Sequence, residues 1–448
     1  MCRSCHASSG SFAARSHAFA LTQDDKGLRV LTITSSRPYN YFDLMTSRIA
    51  IPLVLTLALC AIAPDHPEIG KGNDAAAALG RRSAMVQSSY QFLLAQARKI
   101  GDATLRKETL DALGNEGTCI RHRAGLTEAD RAKIVRELID AGLADPKDDA
   151  TFAGGLKTGV FPAVIDDGGP CPHLPQKFYG APGGSFGSHH SWPGGLAVHE
   201  ATNEIANLNL AREYRQIHGH SSAGFPALSP IPQADPVKTR PSDIFLDQDI
   251  IIGAPLWHDW AKIIVFQWNT DGSEFAELEF GGAAKTGAHH ILGLAETMKR
   301  GFSPAFVIAQ ASAHAVPSLG NEYKVVNWLR AAAIIARVDP FAKGYLIKDQ
   351  QGKAQIPGLR AEYALHNLSD GDFTYSIPAV TSAQTLLQEL APAFGFNPND
   401  RANYNNRFRN PALSLITAER MMMIYNEKGL AGVKAELERV KAEFSRPQ

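Results

Sequence analysis

The 448-residue chain is predicted to be mainly α-helical, a helical bundle interrupted by one long glycine- and proline-rich loop. Three observations predict it. Apolar residues recur at helical spacing in one segment after another. Strand signals are confined to Phe275–Phe280 and a hairpin pattern at Gly344–Ile356. Histidines and aspartates sit inside otherwise apolar helical stretches, where burying them is costly unless something coordinates them.

The first 44 residues carry no helical or strand period and read as a non-native or disordered extension, with translation starting at Met45. Residues 45–63 read as a signal peptide: Arg48 gives a positive start, Ile49 to Cys60 an apolar run, and Ala61-Ile62-Ala63 a small-x-small end. That run is short for a membrane span of ~20 residues. The chain is therefore expected to be exported, periplasmic or secreted, with cytoplasmic residence or anchoring through residues 49–63 as alternatives. Residues 64–84 are polar and alanine-rich, a linker by composition. Of five cysteines, Cys119 and Cys171 remain after the leader, an even pair able to form a disulfide in an oxidising compartment.

Residues 85–185 form an N-terminal helical region and loop. Thr127-Glu-Ala-Asp130 offers an N-cap ahead of Ile134, Val135, Leu138 and Ile139. From Pro146 to Pro193 glycine and proline dominate, the composition of a structured loop at a site entrance. Helical periodicity returns at Gly195–His218, Gln248–Trp268, Gly287–Arg300, Pro304–Ala315 and Asn321–Val338. The tail, within residues 346–448, is helical from Thr381, with amphipathic segments Ser414–Glu427 and Gly432–Phe444. No internal repeat is present, and Met421-Met-Met423 reads as core packing.

Lysine plus arginine equals aspartate plus glutamate, at 45 each, so no basic balance points to nucleic acid. The informative pattern is an ordered set: His199, then the dyad His258-Asp259, then His289, His290, His314 and Asp339. Each stands in an apolar helical segment. Imidazoles and carboxylates on several facing helices suit a divalent metal cage, iron or manganese first, with zinc, magnesium or nickel as alternatives, one or two ions in all. Lys262 lies one turn beyond the dyad, placed to neutralise a phosphate oxygen or leaving group. His218, His220 and His366 fall outside the set.

Rival motifs fail on single residues. His199-Glu200-Ala-Thr-Asn203 lacks the second histidine of a zinc-protease helix. Gly281-Gly-Ala-Ala-Lys-Thr286 lacks the spacing of a phosphate loop, and no Gly-x-Ser-x-Gly elbow occurs. Cys2-x-x-Cys5-His6 has no second half to complete a zinc site.

The residues resemble the HD superfamily of metal-dependent phosphohydrolases. Ser188-His-His-Ser-Trp-Pro-Gly-Gly-Leu-Ala-Val-His199 is similar to the opening helix of YhaM-type exoribonucleases, and Leu256-Trp-His-Asp-Trp-Ala-Lys262 to the His-Asp-x-x-Lys signature. His289-His-Ile-Leu-Gly293, Ala313-His314 and Arg337-Val-Asp339 resemble the later ligand segments. Trp257 and Trp260 stand where the family carries small or aliphatic residues. The resemblance covers about residues 186–345 and implies an HD-domain bundle there, with added N- and C-terminal helices.

It further implies one metal on His199, His258, Asp259 and Asp339. A second would lie on His289, with His290 as substitute, and His314, Asp259 bridging the two. Asp259 and Lys262 would be catalytic, and His189, His190 and Arg337 would hold a small phosphorylated substrate. The expected activity is phosphoester hydrolysis by metal-activated water. An HD-fold diiron oxygenase and a non-catalytic metal- or ligand-binding protein are the alternatives.

Overall fold

The computed structural model describes residues 70–218, 246–274, 276–318 and 320–446, and the backbone of two short strands nearer the N-terminus. The chain divides into two units, Met1–Ala61 and Ile62–Gln448. In the first, β1 (Leu21–Gln23) pairs antiparallel with β2 (Arg29–Leu31), Leu21 opposite Leu31. The segment read as a signal peptide lies outside the described residues.

The second unit is helical; among the described residues of the chain 62% are in helices and 3% in strands, so the mainly α prediction holds. It opens with α1 (Asn73–Arg82), α2 (Ala84–Ala97) and α3 (Ala103–Gly114). The expected linker is therefore largely a helix. Its buried face is built mostly of alanine with Leu79 fully buried, and Ser83 ends α1 while its hydroxyl caps α2 at Val86 N–H. Asp102 caps α3 in the same way.

Next comes α4 (Glu128–Asp140), which starts in the anticipated manner. Thr127 accepts from Asp130 N–H and the Asp130 carboxylate accepts from Thr127 N–H, a reciprocal capping box. The glycine-rich loop that follows leads into α5 (Gly195–His218). There Gly195 is required, since a Cβ would lie 1.9 Å from His190 O. His190 itself has φ 48°, a left-handed conformation that costs a non-glycine residue energy and is held by the packing around it.

The predicted helix Gln248–Trp268 is two helices, α6 (Gln248–His258) and α7 (Lys262–Val265), with Asp259 at the break. Pro255 lies inside α6 without ending it. It has no N–H, so Ile251 O is released from the helix ladder and instead accepts Asn207 Nδ2 of α5 at 2.7 Å. Then follow α8 (Ala288–Lys299), α9 (Pro304–Ala311), capped by Ser303, and α10 (Glu322–Ala336). Phe275–Phe280 forms no ladder among its described residues. The isolated bridges in and beside it are Trp268↔Glu274 and Glu279↔Gly287. The hairpin is present as β3 (Ile347–Lys348) against β4 (Ala354–Gln355).

The remainder is α11 (Ala361–Ser369), a 3₁₀ turn Asp370–Asp372, α12 (Phe373–Leu390), α13 (Asn410–Ile416) and α14 (Ala418–Val440). The predicted Ser414–Glu427 and Gly432–Phe444 segments meet at a kink in α14, where Gly429 has φ 62°. Met421 is buried core, whereas Met423 is exposed.

One apolar core runs from Val86 to Tyr363, and a second joins Trp192 to α12, α13 and α14. Packing therefore does not break at residues 186 or 345, where the sequence reading set its domain limits.

A buried polar network ties the loop before α4 to α8. Glu296 accepts from His122 Nδ1 at 2.7 Å, Arg300 Nε at 2.7 Å and two backbone N–H groups. Arg300 continues to Glu108 at 2.6 Å and to Cys119 O at 2.9 Å. Cys119 is disulfide-bonded to Cys171, Cα atoms 5.4 Å apart.

Burial opposes the charge on Glu296, but the His122 hydrogen bond and the charges of His122 and Arg300 outweigh it and bring the carboxyl down to about 2. The sign follows directly. The ionised carboxylate stabilises the fold fully above its ordinary value of 4.5, and that contribution, about 3 kcal/mol, is lost as pH falls from there toward 2. Melting temperature is expected to drop between pH 5 and pH 3, and Glu296→Gln to flatten that drop while lowering stability at pH 7. An unchanged slope in the variant would count against the network.

Candidate metal centre

The buried face of α5 presents His199 to the end of α6, where the helix stops and Asp259 turns inward. His199 Nε2 lies 3.1 Å from Asp259 Oδ2 and 3.2 Å from Asp370 Oδ1. His258 Nε2 lies 3.4 Å and 3.2 Å from the same two atoms. Two imidazoles and two carboxylates thus face one another, all buried. The other Asp259 oxygen, Oδ1, faces His289 Nε2 at 3.3 Å. Three sets of donor atoms lie within 4.8 Å of one another: His199, His258 and Asp259; Asp259, His289 and His314; and His189, His190 and His199. These buried His/Asp groups can hold a metal ion.

Each ligand histidine is oriented from behind, which fixes its tautomer and leaves the opposite nitrogen for a cation. His199 Nδ1 is 3.0 Å from Asp372 Oδ1, and His289 Nδ1 is 2.7 Å from the Glu277 carboxylate. His258 Nδ1 is 3.0 Å from Pro255 O and 3.2 Å from Glu200 Oε2. His314 Nδ1 meets Thr286 Oγ1 at 3.2 Å.

The electrostatics describe a cluster shaped for positive charge. Burial works against ionised Asp259 and Asp370, but neighbouring histidines, and for Asp259 Lys262, hold both well below the carboxylate range. Burial likewise works against protonated His199 and His258, yet the carboxylates raise both well above the ordinary imidazole value. Without a cation the two histidines carry protons, and a metal must displace them, so affinity rises with pH. At His314 burial and the His289 charge push the pKa down to about 3, leaving the ring neutral and ready to ligate. His314 retains solvent exposure although protein atoms surround it closely, so it marks the open side of the cluster.

Several predicted residues are placed differently. Asp339 is not in the cluster: it is exposed, and its Oδ1 caps the turn at Phe341 and Ala342 N–H. Arg337 is exposed in the left-handed C-cap of α10, 3.6 Å from Asp130, and lines a surface cleft of about 470 Å³. It cannot reach a substrate held at the histidines from there. The chain leaves α10 outward at Arg337, and Asp370 fills the position expected of Asp339.

Lys262 is 3% exposed and committed, its Nζ paired with Asp259 and donating to Gly183 O at 2.5 Å. It steadies the shared carboxylate and presents no free ammonium to a phosphate. His290 is buried in α8 and stacks on His314 with ring centroids 4.1 Å apart, outside all three donor sets. His189 and His190 lie beside His199, at 4.9 and 5.3 Å between centroids. His190 Nε2 is 3.6 Å from Glu419 and 3.7 Å from Asp372.

Asp370, Asp372, Glu277 and Glu200 were missed by sequence reasoning. Ser369-Asp-Gly-Asp372 directly after an amphipathic helix was the available signal. Asn203, which spoils the zinc-protease motif, holds this turn: Ser369 Oγ donates to its Oδ1 at 2.6 Å, and its Nδ2 lies 3.4 Å from Asp370 Oδ1. No family model, curated protein or solved structure matches the chain.

Proposed function

We propose that this chain is a divalent-metal-dependent hydrolase of small phosphoesters. The observation that carries the reading is the Asp259 carboxylate, which turns one oxygen to His199 and His258 and the other to His289. One acidic group shared between two sets of imidazoles is what a two-cation site needs. His199, His258, Asp259 and Asp370 would hold one ion, and Asp259, His289 and His314 the other. When bound, such ions supply Lewis acidity and lower the pKa of water to near neutrality. An iron or manganese pair suits this nitrogen–oxygen set best.

The chain's own groups do the rest. Lys262 keeps Asp259 ionised. Asp372 and Glu277 fix the tautomers of His199 and His289. His189, half-buried beside His199 and kept neutral by burial, faces the position of a bound ester and can donate or accept a hydrogen bond there. The Cys119–Cys171 disulfide supports export, because such bonds persist in oxidising compartments.

The test is a panel of phosphomonoesters and phosphodiesters assayed with Mn²⁺ or Fe²⁺. Turnover is expected that vanishes on chelation, returns with metal and proceeds equally without dioxygen. Turnover that requires dioxygen, or a metal-loaded protein inert on every ester, overturns the reading.

A further inference from the structure

The face of α5 that carries His199 continues, one turn at a time, into a second group of buried polar side chains. Glu200, Glu204 and Asn207 stand at i, i+4 and i+7, within about 60° of the helix circumference. Glu200 and Glu204 are 0% exposed and Asn207 is 1% exposed. Glu200 Oε1, both oxygens of Glu204 and Oδ1 of Asn207 accept no hydrogen bond among the described residues. Leaving four buried acceptors without a donor on one helix face is costly, more so where they are charged.

The neighbours supply too little positive charge to offset this. α5 packs against α2, α6 and α11. From α6, His258 Nδ1, which also meets Pro255 O, pairs with Glu200 Oε2 at 3.2 Å and offsets part of the burial that raises that carboxyl. From α11, His366 stays neutral, pushed down to about 3 chiefly by burial, with its Nδ1 on Ala309 O. Just past the end of α2, Lys99 is the one cation acting on Glu204. Its ammonium donates to Gln96 Oε1 at 3.0 Å and forms no ion pair with either glutamate. Asn207 is independent of the acids. Its Nδ2 is taken by Ile251 O, which fixes the amide and leaves Oδ1 on the shared face one turn from Glu204. Burial and Glu200 together push the Glu204 carboxyl well above its ordinary value, as expected of an acid without its counter-charge.

We propose that Glu200, Glu204 and Asn207 hold a structural calcium-type cation behind His258, separate from the metals of the histidine cluster. Two carboxylates carry the charge that one divalent ion neutralises, and the donor set is oxygen alone, which favours a hard cation over iron or zinc. Calcium accepts irregular oxygen shells without retaining many waters, whereas magnesium demands near-octahedral geometry and keeps its hydration. The site stands without the phosphoesterase reading.

The experiment uses full-length protein saturated with Mn²⁺, followed by equilibrium dialysis with radioactive Ca²⁺ and thermal melts across a Ca²⁺ titration. The wild type is expected to take up one Ca²⁺ per chain beyond its Mn²⁺ and to gain roughly 3 °C or more in melting temperature. Glu204→Gln should bind no extra Ca²⁺ and melt at a temperature indifferent to it. Asp259→Asn, which empties the histidine cluster, should keep the Ca²⁺ response, so failure of one site is read separately from failure of the other. Absence of extra Ca²⁺ in the wild type overturns the proposal. So does a Glu204→Gln variant that melts higher than wild type at every Ca²⁺ concentration, because Glu204 is then a buried, protonated acid.

Discussion

Replacing Asp259 with asparagine is expected to empty both metal positions at once and to lower phosphoester turnover about a thousandfold or more. The expectation rests on sharing. Asp259 is the residue that the His199–His258 set shares with the His289–His314 set, and an amide offers one weak neutral oxygen where the carboxylate offers two charged ones. The substitution also strips the ion-pair partner from Lys262, which is buried, donates otherwise to Gly183 O, and feels Asp370 and Glu277 through their charge. Leaving a buried ammonium unpaired costs about 3–5 kcal/mol. Metal content by plasma mass spectrometry, circular dichroism and turnover should therefore be measured together. A folded variant with full metal content and wild-type turnover would remove the basis for the site.

The second large effect separates two aspartates that look alike in the sequence. Asp370→Ala is expected to lose metal from the His199–His258 side and at least about a hundredfold in turnover, since its Oδ1 lies 3.2 Å from both imidazole nitrogens. Asp339→Ala should change metal content and turnover by less than about twofold. It removes a turn cap at the surface, a loss of about 1 kcal/mol. The opposite ranking, with Asp339 the sensitive position, would show that the cluster is assembled differently.

The contrast between these two residues shows what was legible beforehand. His199, His258, Asp259, His289 and His314 were readable as ionisable residues in or beside apolar helical runs, although Asp259 sits at a helix break and His314 just beyond α9. Asp339 satisfied the same pattern, but a pattern along one helix says nothing about the direction in which the chain leaves it. The left-handed turn at Arg337 sends Asp339 to solvent. Asp370 and Asp372 sit on a 3₁₀ turn without periodicity, so their convergence on His199 depends on packing between α5 and α11.

Helices were anticipated from Met85 to Asp145 and across α8 to α10. Two amphipathic helices were missed: α1, whose buried face is built mostly of alanine, and the short α11 between the hairpin and the tail. The break after His258 has no signal in the apolar pattern, which runs on unbroken to Trp268, and Pro255 lies within α6 without ending it.

The order of the donors along the chain has a consequence for biosynthesis. The His199–His258 side lacks its second carboxylate until the 3₁₀ turn that follows α11 has been translated and folded back onto α5, so any ion captured there is captured late in synthesis. Were the chain exported unfolded, as proposed, the destination compartment's own inorganic supply would decide which ion that is.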